Sequence, residues 1–250
     1  MTEALRIAIV GAESTGKTAL AQALAGRIAA LTGQRCTWVG EWLRTWCERE
    51  GRTPRQDEQQ AIAEHQHRMI DAAAAQHDVV VCDTTALMTA VYSDLLFNDA
   101  SGVPYAIAQQ RRCDITLLTA LDIAWVPDGL QRDGPQVREP VDSRVRALLI
   151  NHRLPWALVA GQGSTRVESA VDAVAPLLRQ RAGPASGLSS SLSSGLFTRL
   201  AGRDAADLAQ RAAWTAVCDH CDAPDCEHLA LARRRADGII GRPHNAGETP

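Results

Sequence analysis

The densest chemical signal in this 250-residue chain is a glycine-rich segment near its beginning. Residues 11–18, Gly-Ala-Glu-Ser-Thr-Gly-Lys-Thr, fit the pattern G-x-x-x-x-G-K-[ST]. In such a loop, backbone N–H groups and the amino end of the following helix surround a phosphate, the lysine reaches the β- and γ-phosphates, and the hydroxyl binds Mg²⁺. We therefore predict an ATP site. Its predicted ligands are Gly11, Glu13, Ser14, Thr15, Gly16, Lys17, Thr18 and Ala19.

The lysine of this loop stands apart from the other basic residues. Of 26 lysines and arginines, Lys17 is the only lysine. A compact ammonium fits a phosphate loop in a way that a planar guanidinium does not. The same count excludes the Asn-Lys-x-Asp motif with which GTPases read their base, so we expect a kinase or another ATP-binding protein.

Two carboxylates follow predicted strands. Glu41 opens the segment Glu-Trp-Leu-Arg that ends at Arg44, where a carboxylate can accept the proton of an attacking hydroxyl or hold a sugar. The alternative is a glutamate placed at a helix start by the helix dipole. Asp83 follows four apolar residues, as a Walker-B aspartate beside Mg²⁺ does. The alternative for Asp83 is the N-cap of the next helix.

Two loops complete the predicted site. The segment 125–140 is rich in glycine, proline and charge, so Arg132 and Arg138 could close over the phosphates as part of a lid, while an ordinary solvated loop is the alternative. The segment 161–166 could form the adenine side, with Arg166 stacking on the base, although such turns also occur without ligands. Together with Lys17, Glu41 and Asp83, these two lid arginines make up the predicted catalytic set.

The ordered pieces resemble the NadR-type ribosylnicotinamide kinases, relatives of the P-loop nucleoside kinases. The resemblance covers residues 5 to about 180 and is carried by the loop 11–18, Glu-Trp-Leu-Arg at 41–44, Cys-Asp-Thr-Thr at 82–85 and Trp-Val-Pro-Asp-Gly-Leu at 125–130. It implies transfer of the ATP γ-phosphate to the 5′-hydroxyl of nicotinamide riboside, a reaction of NAD biosynthesis.

The resemblance also implies residue roles. Lys17 and Thr18 would serve ATP and Mg²⁺, and Asp83 would serve the metal or the ribose. The implied substrate-binding residues are Glu41, Trp42, Arg44, Asp83, Trp125 and Asp128. Gly40 and Met69 depart from the pattern, because the riboside kinases carry aromatic residues there, so Trp42 or Trp125 would have to contact the base.

A cysteine cluster near the carboxyl end suggests a second site. Cys218, Cys221, Cys226 and His228 follow the spacing C-x-x-C-x₄-C-x-H, and these side chains could hold Zn²⁺, with His220 as a spare ligand. The alternatives are thiols without a metal and a redox pair of Cys218 and Cys221.

The elements that must position these residues alternate between strands and helices. Short apolar strands are predicted at 5–10, 35–39, 78–82, 115–118 and 156–159, each followed by a helical pattern. This order predicts an α/β P-loop NTPase fold with a parallel sheet covered by helices on both faces. We expect a kinase domain at 1–182, a Ser/Gly-rich linker at 183–197, a small Cys-rich helical appendage at 198–237 and a polar tail at 238–250.

Composition excludes several classes of protein. The net charge of −3 gives no positive field for nucleic acid, and no run approaches the ~18 apolar residues of a membrane span. The predicted strand begins at Leu5, so we expect no signal peptide and a cytoplasmic protein. The leading hypothesis is an ATP- and Mg²⁺-dependent kinase of a small riboside. The alternatives are an ATP-binding regulatory or interaction module and a kinase of another nucleoside or polar metabolite. The appendage could bind a protein partner or a second copy of the chain.

Overall fold

The computed structural model describes residues 3–126 and 134–182. In this part of the chain five parallel strands form one sheet in the order β2-β3-β1-β4-β5. The strands are β1 (Leu5–Val10), β2 (Cys36–Val39), β3 (Val79–Asp83), β4 (Ile115–Thr119) and β5 (Trp156–Val159). The α/β prediction and its parallel sheet are confirmed.

The helices lie between the strands, as parallel connections require. They are α1 (Lys17–Thr32), α2 (Trp42–Glu50), α3 (Gln59–Ala74), α4 (Ala86–Phe97), α5 (Val103–Gln110), α6 (Arg138–Asn151) and α7 (Gly163–Ala182). One predicted helix, 56–76, is divided. Its first residues form a turn of 3-10 helix at Gln56–Glu58, because the Glu58 carboxylate bonds the backbone N–H of Arg55 and so starts a separate turn.

Helices cover both faces of the sheet. On one face, α1 and α7 pack against alternate residues of β1, including Leu5, Ile7 and Ile9, which are almost completely buried. On the other face, α3 packs on β2 and β3, while α4, α5 and α6 pack around Val10 and Leu118. Because both faces are covered, the strands are mostly apolar rather than alternating, although β1 carries Arg6 and β4 carries Thr116.

Outside the carboxyl-terminal cluster the chain has four cysteines, Cys36, Cys47, Cys82 and Cys113. The four single cysteines are free, and Cys47, Cys82 and Cys113 are buried. Among the described helices, none is long and apolar enough to cross a bilayer. The predicted linker, Cys-rich appendage and tail lie outside the described residues.

Candidate active site

The glycine-rich loop connects β1 to α1 at the carboxyl edge of the sheet. Its backbone needs positive φ angles, with Gly11 at +148°, Ser14 at +53° and Gly16 at +74°. A Cβ atom on Gly11 would collide with the Thr119 hydroxyl of β4. The glycine is therefore required both by its φ angle and by the close approach of the neighbouring strand.

Threonine hydroxyls brace the loop from beneath. The Oγ1 atoms of Thr15 and Thr119 lie 2.7 Å apart, and both residues are completely buried. Thr15 also bonds the carbonyl of Ala12 at 2.8 Å, and Thr119 bonds the carbonyl of Val10 at 3.2 Å. The sequence analysis missed Thr119, and the one sequence signal for it was a polar residue directly after the apolar pair Leu117-Leu118.

Lys17, Thr18 and Asp83 meet where β1 and β3 end. The ammonium of Lys17 donates to the Ala12 carbonyl at 2.8 Å, so the side chain folds back over its own loop. The Thr18 hydroxyl donates to Asp83 Oδ2 at 2.6 Å. Thr85, and not Asp83, caps α4, since its hydroxyl accepts from the Leu87 N–H.

Asp83 is a buried carboxylate with one oxygen still able to accept a hydrogen bond or bind a metal. Its Oδ1 atom is buried without a hydrogen-bond partner in the described structure. Burial raises the pKa of this carboxyl, while the Thr18 hydroxyl and the Lys17 and Arg44 charges oppose the rise. A hydroxyl and a carboxylate oxygen at this distance fit the preference of Mg²⁺ for hard oxygen ligands.

A metal at this point would take few protein ligands. Within residues 3–126 and 134–182 there is no group of three or more His, Cys, Asp or Glu side chains that could hold an ion. Mg²⁺ in phosphoryl-transfer sites usually binds one or two protein groups and completes its shell with phosphate and water, so Thr18 and Asp83 are a sufficient pair.

A cavity of about 670 Å³ opens beside the glycine-rich loop. Its volume lies in the range of small-molecule sites. The lining comes from the loop, from α2 and the turn after it, and from α3 and α4: Glu13, Lys17, Glu41, Leu43, Arg44, Cys47, Thr53, Pro54, Arg55, Gln56, Gln59, Tyr92, Leu96 and Phe97. Polar groups thus gather at the loop, and Tyr92, Leu96 and Phe97 add an apolar wall from α4.

Glu41 stands at the N-cap position of α2 but makes no capping hydrogen bond. Its carboxylate lies 3.9 Å from the Arg44 guanidinium, one turn on. Gln66 of α3 fixes this corner, because its amide accepts from the Trp42 N–H at 2.7 Å and donates to the Gly40 carbonyl at 3.1 Å. The side chain of Glu41 therefore faces the cavity from a rigid support.

Neither of the two tryptophans predicted to contact a base is among the residues that line the cavity. Trp42 stacks on His65 with ring centroids 3.9 Å apart, and it does not line the cavity. Trp125 is half-buried, and its indole N–H is buried without a partner in the described structure. Instead, the aromatic residues that the cavity presents are Tyr92 and Phe97.

The predicted lid segment joins the phosphate loop at its beginning. The Ser14 hydroxyl donates to the Val126 carbonyl at 2.6 Å and accepts from the Val126 N–H at 3.1 Å. Arg138 begins α6 with only 8% of its surface exposed, and it is not among the residues that line the cavity. Asp128 and Arg132 lie outside the described residues, as do Cys218, Cys221, Cys226 and His228.

Arg166 differs from its expected role. Its guanidinium bonds the Asp122 carboxylate at 2.7 Å and the carbonyls of Gly161 and Ala120 at 2.6 and 3.0 Å. With 3% of its surface exposed, it ties the loops after β4 and β5 together. Stacking on a base is not compatible with this arrangement, because the guanidinium plane is already enclosed.

Comparisons with known proteins agree with this architecture. The structure of NadR protein in complex with NR is 22% identical, with a TM-score of 0.59 over 69% of this chain and 51% of that one. The structure of NadR in complex with NAD and AMP-PNP is 20% identical, with a TM-score of 0.56 over 69% and 49%. This chain thus spans about half the length of those proteins, and at this identity the likeness concerns the fold.

No curated protein matches the sequence. The model of a family described as AAA domain (AAA_28), however, matches residues 6–166, from the first strand through the phosphate loop to the start of α7. That match covers well over half of the chain, and the chain therefore belongs to this AAA domain family.

Proposed function

We propose that the protein is an ATP- and Mg²⁺-dependent small-molecule kinase that transfers the γ-phosphate to a hydroxyl of a riboside. The observation that carries this proposal is the shared cavity, into which Lys17 of the phosphate loop and the carboxylate of Glu41 both open. A hydrolase would need only a water site there, whereas about 670 Å³ accommodates an organic acceptor.

The reaction assigns a task to each of these side chains. The acceptor hydroxyl oxygen forms the new bond to the γ-phosphorus, the bond to the β–γ bridging oxygen breaks, and Glu41 receives the hydroxyl proton. Lys17 stabilises the charge of the transferring group. When bound, Mg²⁺ would neutralise phosphate charge, and Thr18 and Asp83 would hold it. Arg44 orients Glu41 through its ion pair.

Nicotinamide riboside is our leading candidate for the acceptor. The resemblance of the motifs at 11–18, 41–44 and 82–85 to the NadR-type kinases supports it, and so does the shared fold with a NadR protein solved in complex with NR. The pyridinium ring would pack on the apolar wall formed by Tyr92, Leu96 and Phe97. As part of the same proposal, the enzyme works in the cytoplasm, and the segment after residue 197 binds a protein partner or a second copy.

Product analysis tests the proposal directly. The full chain is incubated with Mg-ATP and a panel of ribosides, and products are identified by mass spectrometry. We expect one added phosphate on nicotinamide riboside, lost in Lys17→Ala and in Glu41→Gln but retained in Glu48→Gln, whose exposed carboxylate on α2 does not line the cavity. Phosphate on another riboside would change the acceptor and keep the mechanism. Binding of ATP without any phosphorylated riboside would refute the riboside kinase and favour a regulatory module.

A further inference from the structure

Glu13 is a charged residue of the phosphate loop to which the reaction above assigns no task. It is 8% exposed, and its Oε2 atom is buried without a hydrogen-bond partner in the described structure. Burying a carboxylate oxygen without a partner is costly, and native proteins rarely tolerate it without a reason. This oxygen can therefore accept a hydrogen bond from a donor that the described residues do not supply.

The position of Glu13 defines what kind of donor this is. Glu13 lines the same cavity as Lys17 and Glu41. A carboxylate can only accept hydrogen bonds, and it repels the phosphate oxygens that the rest of the loop attracts. Glu13 is therefore unsuited to ATP and faces the space for the acceptor, although its place in the motif had suggested an ATP ligand.

We propose that Glu13 is an acceptor-binding residue, which receives a hydrogen bond from a second hydroxyl of the acceptor, distinct from the hydroxyl that is phosphorylated. This inference rests on the proposed kinase function and narrows its substrate class. One carboxylate, Glu41, serves the reacting hydroxyl, and the other, Glu13, selects molecules that carry a further hydroxyl, such as intact ribosides over their deoxy forms.

The charges around the cavity restrict the acceptor further. The two cavity arginines already have acidic partners, since Arg44 lies 3.9 Å from Glu41 and Arg55 lies 3.1 Å from Glu58. An acceptor that carries a carboxylate would meet Glu13 and Glu41, and among the described lining residues there is no guanidinium without an acidic partner to receive it. The cavity therefore selects a neutral or cationic polyol over an acidic one.

The test separates acceptor binding from turnover. Calorimetric affinity for ribosides is measured with a non-hydrolysable ATP analogue bound, and kcat and KM are measured with Mg-ATP, for the wild type, Glu13→Gln, Glu13→Leu and the exposed control Glu48→Gln. The panel contains nicotinamide riboside, adenosine, and the 2′-deoxy, 3′-deoxy and 2′,3′-dideoxy forms of adenosine.

We expect Glu13→Leu to weaken binding of the intact ribosides by about 10- to 100-fold, the usual effect of losing a hydrogen bond to a charged group. Glu13→Gln keeps an accepting oxygen and should lose less. The affinity for the ATP analogue should not change in either variant. The deoxy form that lacks the contacting hydroxyl should bind weakly to the wild type, and its affinity should not fall further in the variants.

The possible failures are distinguishable. Weaker binding of the ATP analogue by the Glu13 variants, with unchanged riboside affinity, would overturn the inference. Glu13 would then serve ATP binding, as the motif had suggested. Equal losses of affinity in the Glu13 variants for all the ribosides, the dideoxy form included, would also overturn the inference. Riboside binding that depends on Glu13 but is not followed by turnover would support riboside recognition by Glu13 and refute the kinase. If no polyol binds to the wild type, both are refuted.

Discussion

At the scale of single residues, Lys17 raises the question of whether the phosphate loop requires an ammonium group or accepts any positively charged side chain. The chain carries 25 arginines, yet its phosphate loop carries the lone lysine, whose Nζ lies 2.8 Å from the Ala12 carbonyl. A guanidinium is wider and planar, and it cannot occupy the same small space. The positive charge alone would therefore not restore the function.

We accordingly expect Lys17→Arg to lose at least about 100-fold in kcat/KM for ATP, close to the loss in Lys17→Ala. Steady-state kinetics of both variants check this, with circular dichroism to confirm folding. Activity of Lys17→Arg near that of the wild type would show that charge suffices and that the loop geometry does not discriminate.

Asp83 links function to stability with a defined sign. Burial raises the folded-state pKa of this carboxyl above the ordinary value of 3.8. The folded protein then binds the proton more tightly than the unfolded chain. The ionised carboxylate therefore costs stability, and this cost grows as the pH rises from 3.8 through the folded pKa.

Asp83→Asn should consequently raise the melting temperature of the nucleotide-free protein at pH 7, and the gain should shrink towards pH 4. The same variant should lose about 100-fold or more in Mg²⁺-dependent turnover, because an amide is a poor ligand for the metal. Melting curves at both pH values and Mg²⁺ titrations of activity are the measurements. A lower melting temperature at pH 7 would contradict the argument.

At the scale of elements, β4 is as much a part of the phosphate site as the loop itself. Its last residue, Thr119, reaches across to Thr15 and to the carbonyl of Val10. These bonds hold the loop in its cradle conformation before ATP arrives. Thr119 is a positioning residue, since it does not line the cavity.

Thr119→Val keeps the shape of the side chain and removes the hydroxyl. We expect about 5- to 30-fold weaker ATP binding, because the Thr15 hydroxyl loses its partner and the loop samples other conformations. Thr119→Ser restores the hydroxyl and should recover most of the affinity. Nucleotide titrations of both variants measure these affinities. Equal ATP affinities of Thr119→Val and the wild type would show that Thr119 does not position the loop for ATP.

The elements also show what sequence patterns can predict. The five strands and the loop 11–18 followed from local apolar runs and fixed spacing, and the structure confirms them. The pairing of Thr15 with Thr119 did not, since 104 residues separate them and strand order brings them together. The same holds for Gln66, which supports Glu41 from α3, and for the apolar wall of α4.

Arg166 shows where prediction from local sequence fails. A glycine-rich turn before a helix suggests a ligand, but whether its arginine faces a base or the protein depends on Asp122, which comes from the loop after a different strand. Local sequence holds no information about that partner. Contacts between distant segments therefore decide side-chain roles, even where the element boundaries are predictable.

At the scale of the whole molecule, the two edges of the sheet carry different tasks. The carboxyl edge holds the phosphate loop, Asp83 and the cavity. Near the amino edge, Arg6 of β1 is buried and bonds Asp71 of α3 at 2.9 Å, and Asp71 also binds Arg112 after α5 at 2.6 Å. The Asp71 carboxylate thus joins the central strand β1, the helix α3 and the segment after α5, at the edge of the sheet away from the candidate active site.

This separation predicts that stability can be altered at the amino edge without a change in ATP binding. Asp71→Asn removes the short ion pair of the buried Arg6 guanidinium and leaves it with the exposed Glu3 carboxylate at 3.9 Å. We therefore expect a loss of about 1–3 kcal/mol in the free energy of unfolding. Arg112→Gln keeps the pair of Arg6 and Asp71, and because Arg112 is well exposed we expect a loss below about 1 kcal/mol.

The pH dependence of the Asp71→Asn effect has a sign opposite to that of Asp83→Asn. Burial alone would raise the pKa of Asp71, but the hydrogen bond and charge of Arg112 and the charge of Arg6 lower it below 3.8. The stabilisation is therefore present above pH 3.8 and is lost as the pH falls through the folded pKa. Urea unfolding from pH 7 down to pH 3, with ATP titrations at pH 7, measures both parts. A wild type and an Asp71→Asn variant that differ equally in stability at every pH would contradict the lowered pKa of Asp71. Weakened ATP binding in Asp71→Asn would show that the two edges of the sheet are not independent.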